Sequence, residues 1–208
     1  MQKSIGIETE YQSMSSYIRY LYHYIKNNKA LDIGCGSGAC LKTFMKGSIS
    51  FDISEGNIKM CKKKGLNVIQ LDANKERLPF GDENFDGVLC SHILEHVENP
   101  IRLLIEIKRV LSKDRIAIIG LPMENSWIRI FLHEDYYSNH PGNIFLFSVK
   151  GDKVLLNYAG FVQKALYFDP PECRGRMVGI LLDVFQHFPY VLKEKISPAY
   201  WWICKKAR

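Results

Sequence analysis

The sequence predicts an α/β fold built on a doubly wound, mostly parallel sheet, and three observations carry that prediction. Short apolar runs alternate with amphipathic stretches at βαβ spacing between residues 30 and 120, which demands right-handed crossovers and parallel strands. Ala30-Leu31-Asp32-Ile33 runs straight into Gly34-Cys35-Gly36-Ser37-Gly38, a short buried strand opening onto a glycine turn. The next apolar run, Ile49-Ser50-Phe51, delivers Asp52, 18 positions after Gly34. A carboxylate at that place is the mark of a nucleotide-binding βαβ half.

Each element follows in order. Residues 12–27 place Met14, Tyr17, Ile18, Leu21, Tyr22 and Ile25 at helical spacing, a lid or leading helix before the first strand. After the glycine turn, Cys40 to Met45 is expected to form the first crossover helix. Ser54 is the expected N-cap of a helix from Glu55 to Lys64, and Gly65 its stop. Val68 to Leu71 makes a third strand and Phe85 to Cys90 a fourth. Pro100 opens a helix with Ile101, Leu104, Ile105, Lys108 and Leu111 in phase. Arg115 to Gly120 is the fifth strand, ended by Leu121-Pro122. Residues 123–148 read as a loop with short helices, Val149 to Tyr158 as a helix, and Gly160 to Phe168 as a sixth strand. An apolar stretch from Met177 to Leu192 precedes a last strand, Ala199 to Cys204. No repeat, low-complexity tract or linker interrupts the chain, so residues 1–208 are expected to form one domain.

With 208 residues, 47% of them hydrophobic and 24% charged, the chain can bury a core and is neither disordered nor fibrous. The six cysteines contain no Cys-x-x-Cys pair and several sit in apolar runs, the pattern of reduced thiols in a cytoplasmic protein. Met1-Gln2-Lys3-Ser4 leads into no apolar signal-peptide core. No apolar run reaches the ~18 residues that span a bilayer, although the stretch 177–192 is compatible with peripheral membrane contact. The formal charge of +6 is spread thinly, as in Lys62-Lys63-Lys64 and Lys205-Lys206-Ala207-Arg208, without interleaved stacking aromatics. No nucleic-acid partner is therefore expected. Nothing in the sequence speaks to oligomeric state.

The ligand can be narrowed further. The turn is Gly-x-Gly-x-Gly, not the Gly-x-Gly-x-x-Gly of a dinucleotide site, and no Lys-Ser or Lys-Thr follows to make a P-loop. Asp32 at the strand end would repel a pyrophosphate but suits a cationic ammonium. A ribose for Asp52, an amino acid for the turn and no phosphate describe S-adenosylmethionine (AdoMet).

Further motifs follow in order: Phe51-Asp52-Ile53-Ser54, Leu71-Asp72-Ala73, Leu78-Pro79-Phe80, Phe85-Asp86-Gly87-Val88 and Leu94-Glu95-His96-Val97. Together with Leu31 to Gly38, the series resembles the class I AdoMet-dependent methyltransferases. It is most similar to the small type 11 branch that includes the quinone-biosynthesis methyltransferases, over residues 28–122. The resemblance implies a Rossmann-like, doubly wound seven-stranded sheet, mostly parallel, whose last strand slots antiparallel between the fifth and sixth. It makes residues 28–122 the cofactor-binding half and 123–208 the substrate side. Cofactor contacts would come from Asp32, Gly34, Cys35, Gly36 and Gly38 around the turn. Asp52 would hold the ribose, Ile53 would pack on the adenine, and Asp72 with the Ala73 N–H would meet its edge. Cys90 and Ser91 would border the methionine part.

His92-Ile93-Leu94-Glu95-His96 matches the His-x-x-Glu-His pattern of some zinc hydrolases. It starts at a strand end, however, and Pro100 follows after three intervening residues, so the two histidines lack the continuous helix that would let them share a metal. No metal is expected, and Glu95 and His96 are read as organising the start of the next helix. His92 itself is a catalytic candidate, because the end of the fourth strand faces the transferable methyl group; the competing reading is a buried, hydrogen-bonded histidine. His140, in Ser138-Asn139-His140-Pro141-Gly142, is the preferred base candidate, since its loop starts at the carboxyl end of strand five and histidine titrates near neutral pH. A turn histidine bonded to backbone is the alternative there.

The expected function is methyl transfer from AdoMet to a small, apolar or aromatic acceptor, with O-methylation favoured. An AdoMet-binding partner or sensor domain without turnover is one alternative. A protein or nucleic-acid methyltransferase is another, although Ser91-His92-Ile93-Leu94 stands where amino-methylating enzymes of nucleic acids carry Asn/Asp-Pro-Pro-Tyr/Phe.

Overall fold

Seven strands hydrogen-bond into one sheet in the order β3-β2-β1-β4-β5-β7-β6. They are β1 (Ala30–Ile33), β2 (Ile49–Asp52), β3 (Val68–Gln70), β4 (Phe85–Ser91), β5 (Leu111–Pro122), β6 (Phe161–Phe168) and β7 (Ala199–Lys206). A computed structural model describes residues 24–25, 28–123, 142–169, 185 and 187–207. The pairs β1·β2, β1·β4, β2·β3 and β4·β5 are parallel. The last strand, β7, runs antiparallel to both β5 and β6, between which it lies. The chain thus winds outward from β1 to β3, returns, and winds the other way from β4. The carboxyl ends of β1 and β4 flank the point where strand order reverses, which is where ligands of open α/β sheets bind.

The central strands are apolar on both faces, as buried parallel strands must be. Leu31, Ile33, Val88, Cys90, Ala117 and Ile119 pack into the main core with α2 (Pro100–Val110) and α3 (Val149–Tyr158). Their alternates Leu89 and Ile118 point to the other face, against Ile25, Trp201 and Ile203. A third cluster joins Cys35, Leu41, Val68 and two residues of α1 (Glu55–Lys63), Ile58 and Cys61.

Local chemistry explains the helix boundaries. The Ser54 hydroxyl accepts the Asn57 N–H at 3.3 Å and so caps α1, and Gly65 stands just past its end at φ 73°. α2 is capped by Asn99, whose side chain accepts the Arg102 N–H at 2.9 Å, with Pro100 in its first turn. Glu95 and His96 do not perform that task, contrary to expectation. The Leu78-Pro79-Phe80 motif is structural. Arg109 donates to the carbonyls of Leu78 and Phe80 and pairs with Glu106 and Asp82, while Leu78 is buried and Phe80 meets Phe85 edge-on at 5.0 Å.

Three expectations need correction. The first crossover holds only a 3-10 turn, Leu41–Thr43, and not a helix from Cys40 to Met45. Gly38 and Gly47, both at positive φ, bracket too short a segment for more, and Leu41 alone of that turn is buried. The buried face of α2 is Pro100, Leu103, Leu104, Ile107 and Val110, whereas Ile105, placed in phase with the core, is half exposed. Two interleaved apolar stripes on one helix left the phase ambiguous. β5 starts at Leu111, four residues early, because a bulge shifts the register from Phe85↔Leu111 to Gly87↔Ile116 and takes up the polar Ser112-Lys113-Asp114. The leading helix is described only at Tyr24 and Ile25, and most of the loop 123–148 and of the apolar stretch 177–192 lies outside the described residues. No helix among the described residues is long and apolar enough to cross a membrane.

Gly120 of β5 pairs with Trp201 of β7, and a Cβ there would lie 2.2 Å from the Trp201 ring. The tryptophan is wholly buried and cannot move aside cheaply. Gly120→Ala should therefore lower stability by ~1–3 kcal/mol through overpacking. Urea unfolding should show a lower midpoint at unchanged slope.

Candidate active site

The carboxyl ends of β1, β2 and β4 open onto one edge of the sheet, and the glycine turn closes it from above. The N–H groups of Gly34 and Cys35 both donate to the Phe51 carbonyl, at 2.9 and 3.0 Å, and fix the turn to β2. Two glycines in it meet different surroundings. Gly34 sits at φ 81°, and a Cβ there would also push on the tip of the Ile93 side chain, 2.2 Å away. Gly36 has nothing within 4 Å, and what requires glycine there is its φ of 47°. Gly38, at φ 79°, is again closed in, by Leu66 and Cys61. The open face of the turn is therefore at Gly36.

Asp52 sits beneath that face with 9% exposure. Its Oδ2 accepts the Gly36 N–H at 3.0 Å and the Asn57 side-chain amide at 3.1 Å, and its Oδ1 accepts the Ser54 N–H at 2.8 Å. A carboxylate offers about four acceptor positions, so one on Oδ1 remains for a ligand hydroxyl. The neighbouring Ile53 is 62% exposed, an apolar side chain standing free at the end of β2. Asp72 lies beyond β3, where its carboxylate accepts the Asn74 N–H at 3.0 Å and meets Lys75 at 3.3 Å. Ala73 next to it is half-buried.

Asp32 is 3% exposed on β1. Burial pushes its carboxyl up to about 7, with the charge of Asp52 adding to the effect. A cation at this edge would relieve that penalty. Cys35, in contrast, turns its sulfur under the loop to 3.7 Å from Cys61. Burial pushes its thiol far above the ordinary range. The same thiol donates to Oδ2 of Asp52 at 3.8 Å, which leaves the Cys35 backbone for a ligand. Cys90 is likewise wholly buried, and Ser91 half-buried, at the end of β4.

His92 follows directly, in the left-handed region at φ 53°, with its N–H bonded to the Gly120 carbonyl at 3.0 Å. Strained backbone of this kind collects at functional sites. Its ring is 34% exposed, meets the Trp201 ring edge-on at 5.6 Å, and places Nδ1 3.4 Å from Oε1 of Glu95. Glu95 is completely buried in the 3-10 turn Leu94–His96. His96 goes elsewhere, with Nδ1 3.0 Å from the Gly142 carbonyl, so the two histidines of the His-x-x-Glu-His pattern do not converge. Behind Glu95, Asp152 of α3 bonds the Tyr200 hydroxyl, and burial raises its carboxyl to about 7 with Glu95 contributing. His140 lies outside the described residues. Glu95 is the residue that sequence reasoning undervalued. The available signal was a lone acid between Leu94 and Val97, both of which are buried.

The strands that form this edge lie within the segment that a known family covers. A family model described as a methyltransferase domain matches residues 31–119, from β1 into β5. A protein of Methanocaldococcus jannaschii, MJ0638, of uncharacterised function, is 31% identical over 175 residues, or 82% of this chain and 75% of its own length. The tRNA U34 carboxymethyltransferase of Pseudoalteromonas translucida is 27% identical over 76% of this chain and 52% of its own. A ubiquinone biosynthesis O-methyltransferase of Dinoroseobacter shibae is 31% identical over 45% of this chain and 40% of its own. The chain thus spans only about half the length of several curated relatives, 54% in the case of another M. jannaschii protein, MJ1123. Among solved structures, a SAM-dependent methyltransferase from Archaeoglobus fulgidus shares the fold at a TM-score of 0.72, with 24% identity over 94% of both chains. The chain belongs to the S-adenosylmethionine-dependent methyltransferase family.

Proposed function

We propose that the chain binds AdoMet along the edge formed by β1, β2 and the glycine turn and directs its methyl group to a small, apolar or aromatic acceptor, with O-methylation favoured. The observation that carries this reading is the joint geometry of Gly36 and Asp52: an open turn face above a carboxylate with one acceptor position unused. Asp52 takes the ribose, the exposed Ile53 covers the adenine, and Asp72 with the Ala73 N–H meets the adenine edge. Asp32 faces the ammonium, while Gly34, Gly36, Gly38 and the backbones of Cys35, Cys90 and Ser91 line the methionine part. When bound, AdoMet supplies a methyl group already activated by the sulfonium charge. The protein's task is then to align the acceptor, exclude water and remove a proton from an oxygen nucleophile. His92 is the base we favour, on the strength of its buried carboxylate partner, and His140 is the other candidate. The same reading treats residues 1–208 as one domain acting in the cytoplasm.

A nucleic-acid acceptor is the second reading. It is supported by the alignment with a tRNA-modifying relative over 76% of the chain and by the exposed Lys59, Lys62 and Lys63 of α1. Formation of S-adenosylhomocysteine separates the two: a panel of phenols and quinol precursors against bulk tRNA. Turnover of tRNA alone would reject the small-molecule acceptor. In the same assay, replacement of the true base should cut kcat ~10²-fold or more at unchanged AdoMet affinity. His92→Ala and His140→Ala, measured side by side, assign it.

Asp52→Ala should weaken AdoMet binding by ~1.5–3 kcal/mol, the worth of hydrogen bonds to a charged group. It should also cost the unliganded fold ~1–3 kcal/mol, because Gly36, Ser54 and Asn57 lose their acceptor. Calorimetric titration giving wild-type affinity in a folded variant would reject the ribose role.

Asp32 makes the binding pH-dependent. With its carboxyl raised to about 7, the free protein holds a proton there that an ammonium ligand must displace. AdoMet affinity should rise with pH up to about 7 and then level, falling by up to ~1.4 kcal/mol per unit below it. The unliganded fold should behave in the opposite sense. Its stability should decline as pH climbs from the ordinary Asp value of ~3.9 toward 7, where the unfolded chain has already lost the proton. Asp32→Asn should flatten the binding curve and remove its own share of the stability slope, the rest of which comes from Asp152, whose carboxyl is likewise raised to about 7. Titrations at pH 6 in buffers of different ionisation enthalpy should detect the released proton, and no release would remove Asp32 from the site.

A further inference from the structure

Among the described residues, neither carboxylate oxygen of Glu95 nor Nδ1 of His92 has a hydrogen-bond partner, and all three atoms are buried. A fully buried carboxylate without hydrogen bonds is costly unless a cation stands beside it. Among the described residues, the group within 4 Å that can become one is His92, with Nδ1 at 3.4 Å, an ion-pair distance slightly long for a hydrogen bond. The other titratable groups described nearby cannot serve. Cys90 on β4, Asp152 on α3 with its bound Tyr200 of β7, and Asp32 on β1 are neutral or acidic.

The histidine is held for the encounter from several sides. Its backbone is fixed at φ 53° and bonded to Gly120, and its ring edge rests on Trp201, which Gly120 leaves room for. With Nδ1 buried against Glu95 and the ring one-third exposed, the open edge is that of Nε2.

We propose that Glu95 is a positioning residue that holds His92 as the Nδ1–H tautomer, leaves the Nε2 lone pair toward the acceptor, and balances the imidazolium formed when His92 takes the acceptor's proton. The inference rests on the methyltransferase reading above and adds the acceptor's chemistry: a neutral group that carries an O–H, as a phenol or enol does. As the acceptor oxygen bonds to the methyl carbon, the carbon–sulfur electron pair stays on sulfur and the acceptor proton passes to Nε2. The charge thus lost from the sulfonium reappears on a ring that already faces a carboxylate. A pre-ionised acceptor would have no use for this pair.

Long-range nitrogen–proton NMR of the histidine rings, without any acceptor and above pH 8, tests the pairing directly. The His92 resonances are assigned by their loss in His92→Gln. Wild-type protein should show the Nδ1–H tautomer, and Glu95→Leu should shift the ring toward Nε2–H. Glu95→Met replaces the leucine variant if that one fails to fold. A wild-type Nε2–H ring, or one that the apolar variants leave unchanged, overturns the proposal. Glu95→Gln, which keeps shape but not charge, should lose at least ~10-fold in kcat toward a phenolic acceptor, part of what a general base contributes, with AdoMet affinity unchanged. Full turnover by Glu95→Gln also overturns it. If the tautomers behave as expected and AdoMet binds, yet no hydroxyl acceptor is methylated, the pairing stands and the acceptor assignment above is what fails.

Discussion

The carboxylate of Asp52 joins the glycine turn, the end of β2 and the start of α1 through three bonds to Gly36, Asn57 and Ser54. The turn is held besides by the two N–H groups that share the Phe51 carbonyl and by Lys64, which donates to the Ser37 carbonyl at 2.8 Å. Each of the Asp52 bonds is made to a charged acceptor at low exposure and so weighs more than a neutral one. The consequence is a turn whose shape is settled before any ligand arrives. A preorganised cradle loses little freedom on binding, which is how a small polar contact set can hold a ligand firmly.

How much of this was legible in the sequence differed by element, for physical reasons. Ser54 and Asp52 could be read because a cap and a strand-end acid act within a few residues of themselves. α3 begins and ends where the sequence reading put it, and the structure adds its cap, Ser148, which accepts the Gly151 N–H. The place of β7 was not written locally at all. Nothing in Ala199 to Cys204 distinguishes an antiparallel strand from a parallel one, and only the resemblance to a family supplied it. The phase of α2 was lost because Ile101 and Ile105 compete with Leu103 and Ile107, and tertiary packing chose between the stripes. Glu95 was missed for a related reason: whether an acid is buried depends on what covers it. The covering segment, in which Ile144 and Phe145 donate to the Glu95 carbonyl, lies some fifty residues away.

The edge of the sheet carries a charge pattern that helix packing alone does not explain. Asp32, Asp52, Glu95 and Asp152 are all buried acids, and the carboxyls of two of them are lifted to about 7. Burying acids is costly, and such perturbed groups collect where function makes use of them. A ligand that is itself cationic recovers part of that cost on binding. The acids fall into two groups, Asp32 and Asp52 by the turn, Glu95 and Asp152 behind His92. On the reading proposed above, the first group faces the cofactor and the second the acceptor.

The last strand ties those two sides together. β7 inserts between β5 and β6 and sets Trp201 opposite Gly120, where no side chain could coexist with it. The Gly120 carbonyl then receives the N–H of His92, and the Trp201 ring supports the histidine's own. The Tyr200 hydroxyl, one residue earlier on the same strand, anchors Asp152 on the opposite face. A strand-order rule that looks purely architectural therefore determines the chemistry at the end of β4. Residues near position 200 fix the direction in which residue 92 points, and the antiparallel insertion is what makes that distance in sequence short in space.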